Sequence, residues 1–357
     1  MEYRVLGRTG LRVSALGFGC GDVGGLMVRG APADRERGVA RALELGINYL
    51  DTAPAYGSGE SEKNLGQVLR ALKPSAIVGT KWRLTAADLA DVPGALTRSV
   101  ETSLGRLGLE RVDLLHLHNL IGRVGDERPL GVARVLETVV PAMRRLREQG
   151  KVRFFGVTAS GETGALHRTL ASGAIDTAQV VFNLLNPTPA YEVEAGYPAQ
   201  DYDRLLALAR EQGVGTIGIR VLAAGALSGR VERHPTAIPS VAPIASGPDY
   251  ATDAARARAL EPLVAQGHAA SLVEAALRFA ITGDALSTVL IGCSDLAQLD
   301  YAAAAVNKGP LPPAALTTLR HIWAHLAAAC PPVSGSGRGP WDRAASGSGR
   351  SWAARRG

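Results

Sequence analysis

Four residues whose types suit proton transfer stand at comparable places along the chain. Asp51 closes the apolar run "INYLD", and Tyr56 follows it in the Gly- and Ser-rich loop "TAPAYGSGESE". Lys81 ends "AIVGTK", and His118 ends "VDLLHLH". Lysine is scarce here, with five (63, 73, 81, 151, 308) against 34 arginines, so one inside an apolar run stands out. An ammonium in such a run needs a carboxylate partner, and Asp51 is the nearest candidate. Beside a phenol, the ammonium favours the phenolate and pulls the Tyr56 pKa downward. Tyr56 can then give a proton to an oxygen that is gaining negative charge, or take one in reverse. A neutral His118 can orient the same oxygen. These roles suit reduction of a carbonyl or oxidation of an alcohol, and no side chain supplies the hydride, so a nicotinamide cofactor is implied.

Each residue alone has an ordinary structural role. Asp51 can bond backbone at a strand end, Tyr56 can sit on the surface, and His118 can be a core histidine, as its neighbour His116 can. Together they occupy the ends of three successive apolar runs, and a shared position is what a common site requires.

The elements that must hold them alternate. Short apolar, β-branched runs at 13–19, 47–51, 76–81, 112–118, 152–158, 177–183, 214–220 and 287–292 read as strands buried on both faces. Segments with helical spacing lie between them, such as "DRERGVARALELG" with Asp34 as its N-cap and Gly46 as its stop. Others are "GVARVLETVVPAMRRLREQG" (131–150) and "DYDRLLALAREQG" (201–213). Eight strands alternating with helices predict an α/β fold, a (β/α)8 TIM barrel with a doubly wound open sheet as its competitor. "YRVLGRTGLRVS" predicts an N-terminal β-hairpin before the first barrel strand. A long Pro-rich insertion, including "RHPTAIPSVAPIASGPDY", precedes the last strand on the face where barrel loops build sites, so 228–250 is a candidate lid or substrate loop.

The barrel domain is expected over 1–330, and the Gly/Ser/Arg-rich stretch 331–357 is expected to be a flexible tail. That tail carries +4 of the net charge of +6, which leaves little basis for nucleic-acid binding by the folded part. The N-terminus has no apolar signal region, and no apolar run is long enough to span a membrane. Three dispersed cysteines (20, 293, 330) without a CxxC predict neither a metal site nor a disulfide framework, and suggest a cytoplasmic setting. "GCGDVGG" (19–25) lacks the lysine and spacing of a P-loop and reads as a barrel-mouth loop.

In order along residues 3–325, the chain resembles the aldo-keto reductase superfamily. "DTAPAYGSGESEKNLG" resembles that family's Asp–Tyr signature, "GTK" its lysine strand and "RVDLLHLHN" its histidine strand. The resemblance implies a barrel that binds NADP or NAD without a Rossmann fold and interconverts carbonyls and alcohols. It assigns Asp51, Tyr56, Lys81 and His118 to the catalytic tetrad. For the cofactor it implies Cys20, Gly21, Asp51, Thr158, Gln179, Ile219, Arg220, Leu222 and Ala224, with Gly292, Cys293, Ser294 and Gln298 near the adenosine. "GVTAS" departs from the family's Gly-Val-Ser-Asn run, since Thr158 keeps a hydroxyl but Ala159 lacks the carboxamide. "LIGCSDLAQL" has no Lys or Arg where 2′-phosphate binders often present one. Tyr56, Trp82, His118 and Asn119 are the candidate substrate contacts. The expected partner is a small carbonyl or alcohol, with no nucleic acid or membrane, and the chain could be a monomer or a homo-oligomer. An NAD-dependent aldose (sugar) dehydrogenase is the rival enzyme. A cofactor-binding regulatory or redox-sensor barrel is the rival from another class.

Overall fold

The computed structural model of the protein describes residues 1–122 and 130–329. The chain begins with a hairpin, β1 (Tyr3–Val5) paired antiparallel with β2 (Arg12–Ser14). A single turn of 3-10 helix at Gly7–Thr9 joins them, and Gly10, with φ of 68°, closes it. That left-handed conformation favours glycine.

Eight parallel strands then close into a barrel. They are β3 (Leu16–Gly19), β4 (Tyr49–Asp51), β5 (Ile77–Trp82) and β6 (Val112–Leu117), followed by β7 (Val152–Ala159), β8 (Thr177–Val181), β9 (Gly215–Ile219) and β10 (Thr288–Gly292). β10 pairs with β3, from Val289 with Leu16 to Gly292 with Gly19, and so seals the ring. Strands buried on both faces, crossed by helices that bury one stripe, make the barrel the stable outcome.

The run 13–19 is not one strand. Its first residues belong to the hairpin and its last to the barrel, divided at Ala15, whose N–H bonds Glu2 O and whose carbonyl accepts from Val289. Asp34 is not the N-cap of its helix, which runs Pro32–Glu44 from Ala31. Proline is favoured in the first turn because its missing N–H has no intrahelical partner there, so the helix starts earlier and Asp34 falls inside that turn. Within 131–150 a π-turn spans Val135–Val139 just ahead of Pro141, which cannot donate to the preceding turn.

The insertion after β9 has no helix or strand between Gly229 and Asp249. It is nonetheless pinned. Arg233 donates to Ile238 O (2.7 Å), Ala224 O (2.8 Å) and Val23 O (3.2 Å), and its guanidinium lies 5.1 Å from the centre of the Tyr250 ring. Arg29 donates to Thr236 O at 2.8 Å, and Ile238 N to Asp22 O at 3.2 Å. The segment thus forms a strap from β9 across the barrel mouth to the loop after β3. Among the described residues, no helix is long and apolar enough to cross a membrane. The tail at 331–357 and Cys330 lie outside the described residues.

Candidate active site

Asp51, Lys81 and His118 stand at the C-terminal ends of β4, β5 and β6, at one mouth of the barrel. Alternation along β5 turns Gly79 and Lys81 to the same face, and along β6 it does so for Leu114, His116 and His118. Tyr56 opens a short turn, Tyr56–Gly59, with Gly57 and Ser58 in left-handed conformations. Asp22 accepts the N–H of Gly57 at 3.1 Å and pairs with Arg29 at 3.2 Å, so the loop after β3 braces the loop of Tyr56. Gly21 packs on the Tyr56 ring, where an added Cβ would lie 3.5 Å from its carbons.

Lys81 is almost fully buried, and its Nζ donates to Asp51 Oδ1 and, at 2.9 Å, to the carbonyl of Thr52. The ammonium lies 4.9 Å from the centre of the Tyr56 ring. The other carboxylate oxygen, Oδ2, accepts from Gln179 Nε2 (2.7 Å) and from the hydroxyl of Tyr49 (2.8 Å). Gln179 Oε1 in turn accepts from Thr158 at 3.4 Å. The carboxylate therefore has three donors from three strands. A buried charge needs such satisfaction.

Electrostatics set the resting protonation states. Burial disfavours the Lys81 ammonium, but Asp51 and Tyr56 outweigh it and its pKa is raised, so the lysine stays charged. Burial also raises the Tyr56 pKa, with Lys81 and Arg220 pulling the other way. The downward pull expected from the ammonium is present but is exceeded by desolvation, which depends on how deeply the phenol lies in the fold. His118 is pushed down to about 3, by burial first and then by Lys81 and Arg83, and is neutral at physiological pH. His116 is fully buried, bonds Thr177 Oγ1 at 3.0 Å and is held neutral by burial.

The remaining expected residues fall into groups. Cys20 is fully buried under the site, and its N–H bonds Asp51 O at 2.8 Å. Trp82 is buried, and its carbonyl receives the His118 N–H. Asn119 is buried next to His118, and both ends of its amide clamp the backbone of Leu84, at 2.8 Å each, which fixes its orientation. Ile219 ends β9 and Arg220 follows it, and Arg220, Ala223 and Ala224 all have positive φ (56°, 46° and 60°). Such strain in non-glycine residues is often found at ligand sites. Arg220 donates to Ala242 O of the strap at 3.2 Å, and Leu222 is partly buried beside it. Gly292 at the end of β10 is exposed, Cys293 after it is buried, and Ser294 donates Oγ to Gly24 O (2.7 Å) and N–H to Gln298 (2.9 Å). Asp295 caps the helix Leu296–Asn307 and pairs with His234 of the strap at 3.4 Å. A groove of about 750 Å³ lies within the strap, lined by Arg233, His234, Ala242, Asp249 and Tyr250 among others. It does not include Tyr56 or Lys81.

Sequence reasoning missed Tyr49, Asp22, Arg29 and Arg233. The signal for Tyr49 was available, since a residue two before Asp51 on a strand shares its face.

A closed parallel barrel with a buried ion pair, a phenol and a neutral imidazole at its mouth defines a barrel enzyme equipped for proton transfer. The chain belongs to the aldo/keto reductase family, whose model matches residues 15–324. It is similar to L-galactose dehydrogenase of Arabidopsis thaliana, with 31% identity over 318 residues, covering 86% of this chain and 89% of that one. It is also similar to D-threo-aldose 1-dehydrogenase of Pseudomonas sp, with 29% identity over 360 residues, covering 90% and 95%. An aldo-keto reductase from Bacillus halodurans, in its holo form, shares the fold with a TM-score of 0.68 at 24% identity, covering 91% of this chain and 96% of that one. The protein is accordingly a nicotinamide-dependent oxidoreductase that interconverts carbonyl and alcohol groups.

The side chains present fit such a cofactor. Thr158 and Gln179 offer a hydroxyl and an amide side by side, a set that matches a carboxamide. The turn at 220–225, with Arg220, Ala223, Ala224 and Gly225 at positive φ, carries a partly buried guanidinium, the chemistry that holds phosphates.

Proposed function

We propose that Tyr56 is the general acid–base of this enzyme, with Lys81 and Asp51 tuning it and His118 orienting the reacting oxygen. The observation that carries this reading is the single buried ammonium shared by Asp51 and the Tyr56 ring. When bound, the nicotinamide supplies the hydride to the carbonyl carbon or takes it from the alcohol carbon. In reduction the Tyr56 phenol gives its proton to the carbonyl oxygen as the C–H bond forms, and Lys81 stabilises the phenolate left behind. In oxidation the phenolate removes the alcohol proton. Neutral His118 hydrogen-bonds that oxygen in either direction without a competing charge. Thr158 and Gln179 would hold the carboxamide, and Arg220 with the backbone of Leu222 and Ala224 the pyrophosphate.

For the finer choices, the reading is NAD and a small aldose or related hydroxy-carbonyl. No Lys or Arg stands among residues 291–299, and Asp295 puts a carboxylate there that would accept from a ribose hydroxyl and repel a 2′-phosphate. The aldose dehydrogenases among its relatives support the substrate class.

Tyr56→Phe tests the proton role. It is expected to bind NADH normally, by fluorescence titration, while turnover falls by at least about 100-fold. Unchanged turnover would exclude the role. Parallel titration with NADPH tests the cofactor choice, and tighter binding of NADPH would overturn it.

A further inference from the structure

We propose that Tyr49, inside the barrel beneath the site, is a positioning residue that sets the charge Asp51 presents to Lys81 and Tyr56. This rests on the reading of Tyr56 as the acid–base.

Tyr49 is among the largest fully buried side chains of the protein. Its ring belongs to a small apolar cluster with Leu6, Leu11, Val13, Leu114 and Ile217 at the barrel floor, and its hydroxyl reaches up to Asp51 Oδ2 at 2.8 Å. Two glycines make room for it. A Cβ on Gly79 would lie 2.8 Å from the Tyr49 oxygen, and one on Gly17 would lie 3.1 Å from its ring. A phenol in an apolar floor is disfavoured unless its hydroxyl is bonded. A phenylalanine would serve the packing alone, so the hydroxyl calls for its own account.

That account is electrostatic. Asp51 divides its two oxygens, Oδ1 to Lys81 and Oδ2 to Tyr49 and Gln179. Donation to Oδ2 draws negative charge toward the floor and away from the mouth. The ionisable groups around this carboxylate are Cys20 from β3, Tyr56 from the β4 loop, Lys81 from β5, His116 and His118 from β6, and Arg220 from β9. Burial raises the Cys20 pKa, and both histidines are neutral, so near neutral pH only Lys81 and Arg220 oppose the field of Asp51 on Tyr56. Without the Tyr49 hydroxyl, more of that field reaches the Tyr56 phenol and holds its proton more firmly.

The test is Tyr49→Phe, assayed in the alcohol-oxidising direction across pH, with Leu114→Ala as the control for packing and Tyr56→Phe run in parallel. Tyr49→Phe is expected to move the ascending limb of kcat/KM upward by about half a pH unit. On that limb the shift reads as about a threefold loss that recovers at higher pH, while the Kd for NADH is unchanged. Leu114→Ala is expected to lower Tm without moving the limb. A Tyr49→Phe profile superimposable on the wild-type, or a loss of equal size at every pH, would overturn the inference and leave Tyr49 a packing residue. An active Tyr56→Phe would instead sink the acid–base reading itself, whatever Tyr49→Phe does.

Discussion

The imidazole of His118 meets the Tyr56 ring edge to face, with centroids 6.2 Å apart and planes at 87°. The two side chains therefore flank one point at the barrel mouth, one as a phenol and the other as an uncharged imidazole. On the proposed roles, an oxygen bonded to the Tyr56 hydroxyl would have the imidazole as its second neighbour.

His118→Ala should consequently lower kcat/KM by about 100-fold through loss of one oriented hydrogen bond to that oxygen. The position of the Tyr56 limb on the pH axis should stay the same, because a neutral side chain is being removed. Steady-state kinetics across pH would check both, and a shifted limb with an intact maximum would contradict the assignment.

Lys81→Met removes the partner of a buried carboxylate and should destabilise the fold by about 3–5 kcal/mol, read as a lower midpoint in urea. Adding Asp51→Asn removes the stranded charge and should recover much of that loss. It should not recover turnover, since Tyr56 would still lack its ammonium. If the double variant regains activity, Lys81 is structural only.

Acid should weaken the fold through the histidines. His116 and His118 are held below their unfolded value near 6.5, His118 at about 3, so between those values the unfolded chain binds protons that the native state does not. Stability is thus fully present above about pH 6.5 and declines as pH falls below it, with a slope of at most about 1.4 kcal/mol per unit for each histidine. Urea denaturation at pH 7 and pH 5 measures this. A His116→Gln variant that lost stability just as steeply between those pH values would assign the effect to other groups.

Much of the frame was legible because parallel barrel strands advertise themselves as apolar runs, and because a charged residue ending such a run has few other uses. Lys81 was conspicuous for that reason, and its pairing with Asp51 followed from the cost of leaving an ammonium bare. The Tyr56 pKa was not legible in the same way, since its direction depends on how deeply the phenol lies. Tyr49 hid in an apolar strand, where a tyrosine looks like packing until its hydroxyl is followed. The bond from Gln179 to Asp51 joins residues 128 apart, and the strap's bond from Arg233 to Val23 joins residues 210 apart. Such contacts come from closure of the ring, which no local pattern reports.

The hairpin has a further bearing on how the enzyme works. Leu6, Leu11 and Val13 fill the floor under Tyr49, and the Arg8 N–H ties the turn to Gly213 O at 2.8 Å. The lumen is thereby stoppered at one end. The side chains at the opposite mouth, Lys81 and Tyr56 among them, are therefore approached from the side that the strap partly crosses through its bonds to Val23 and Asp22.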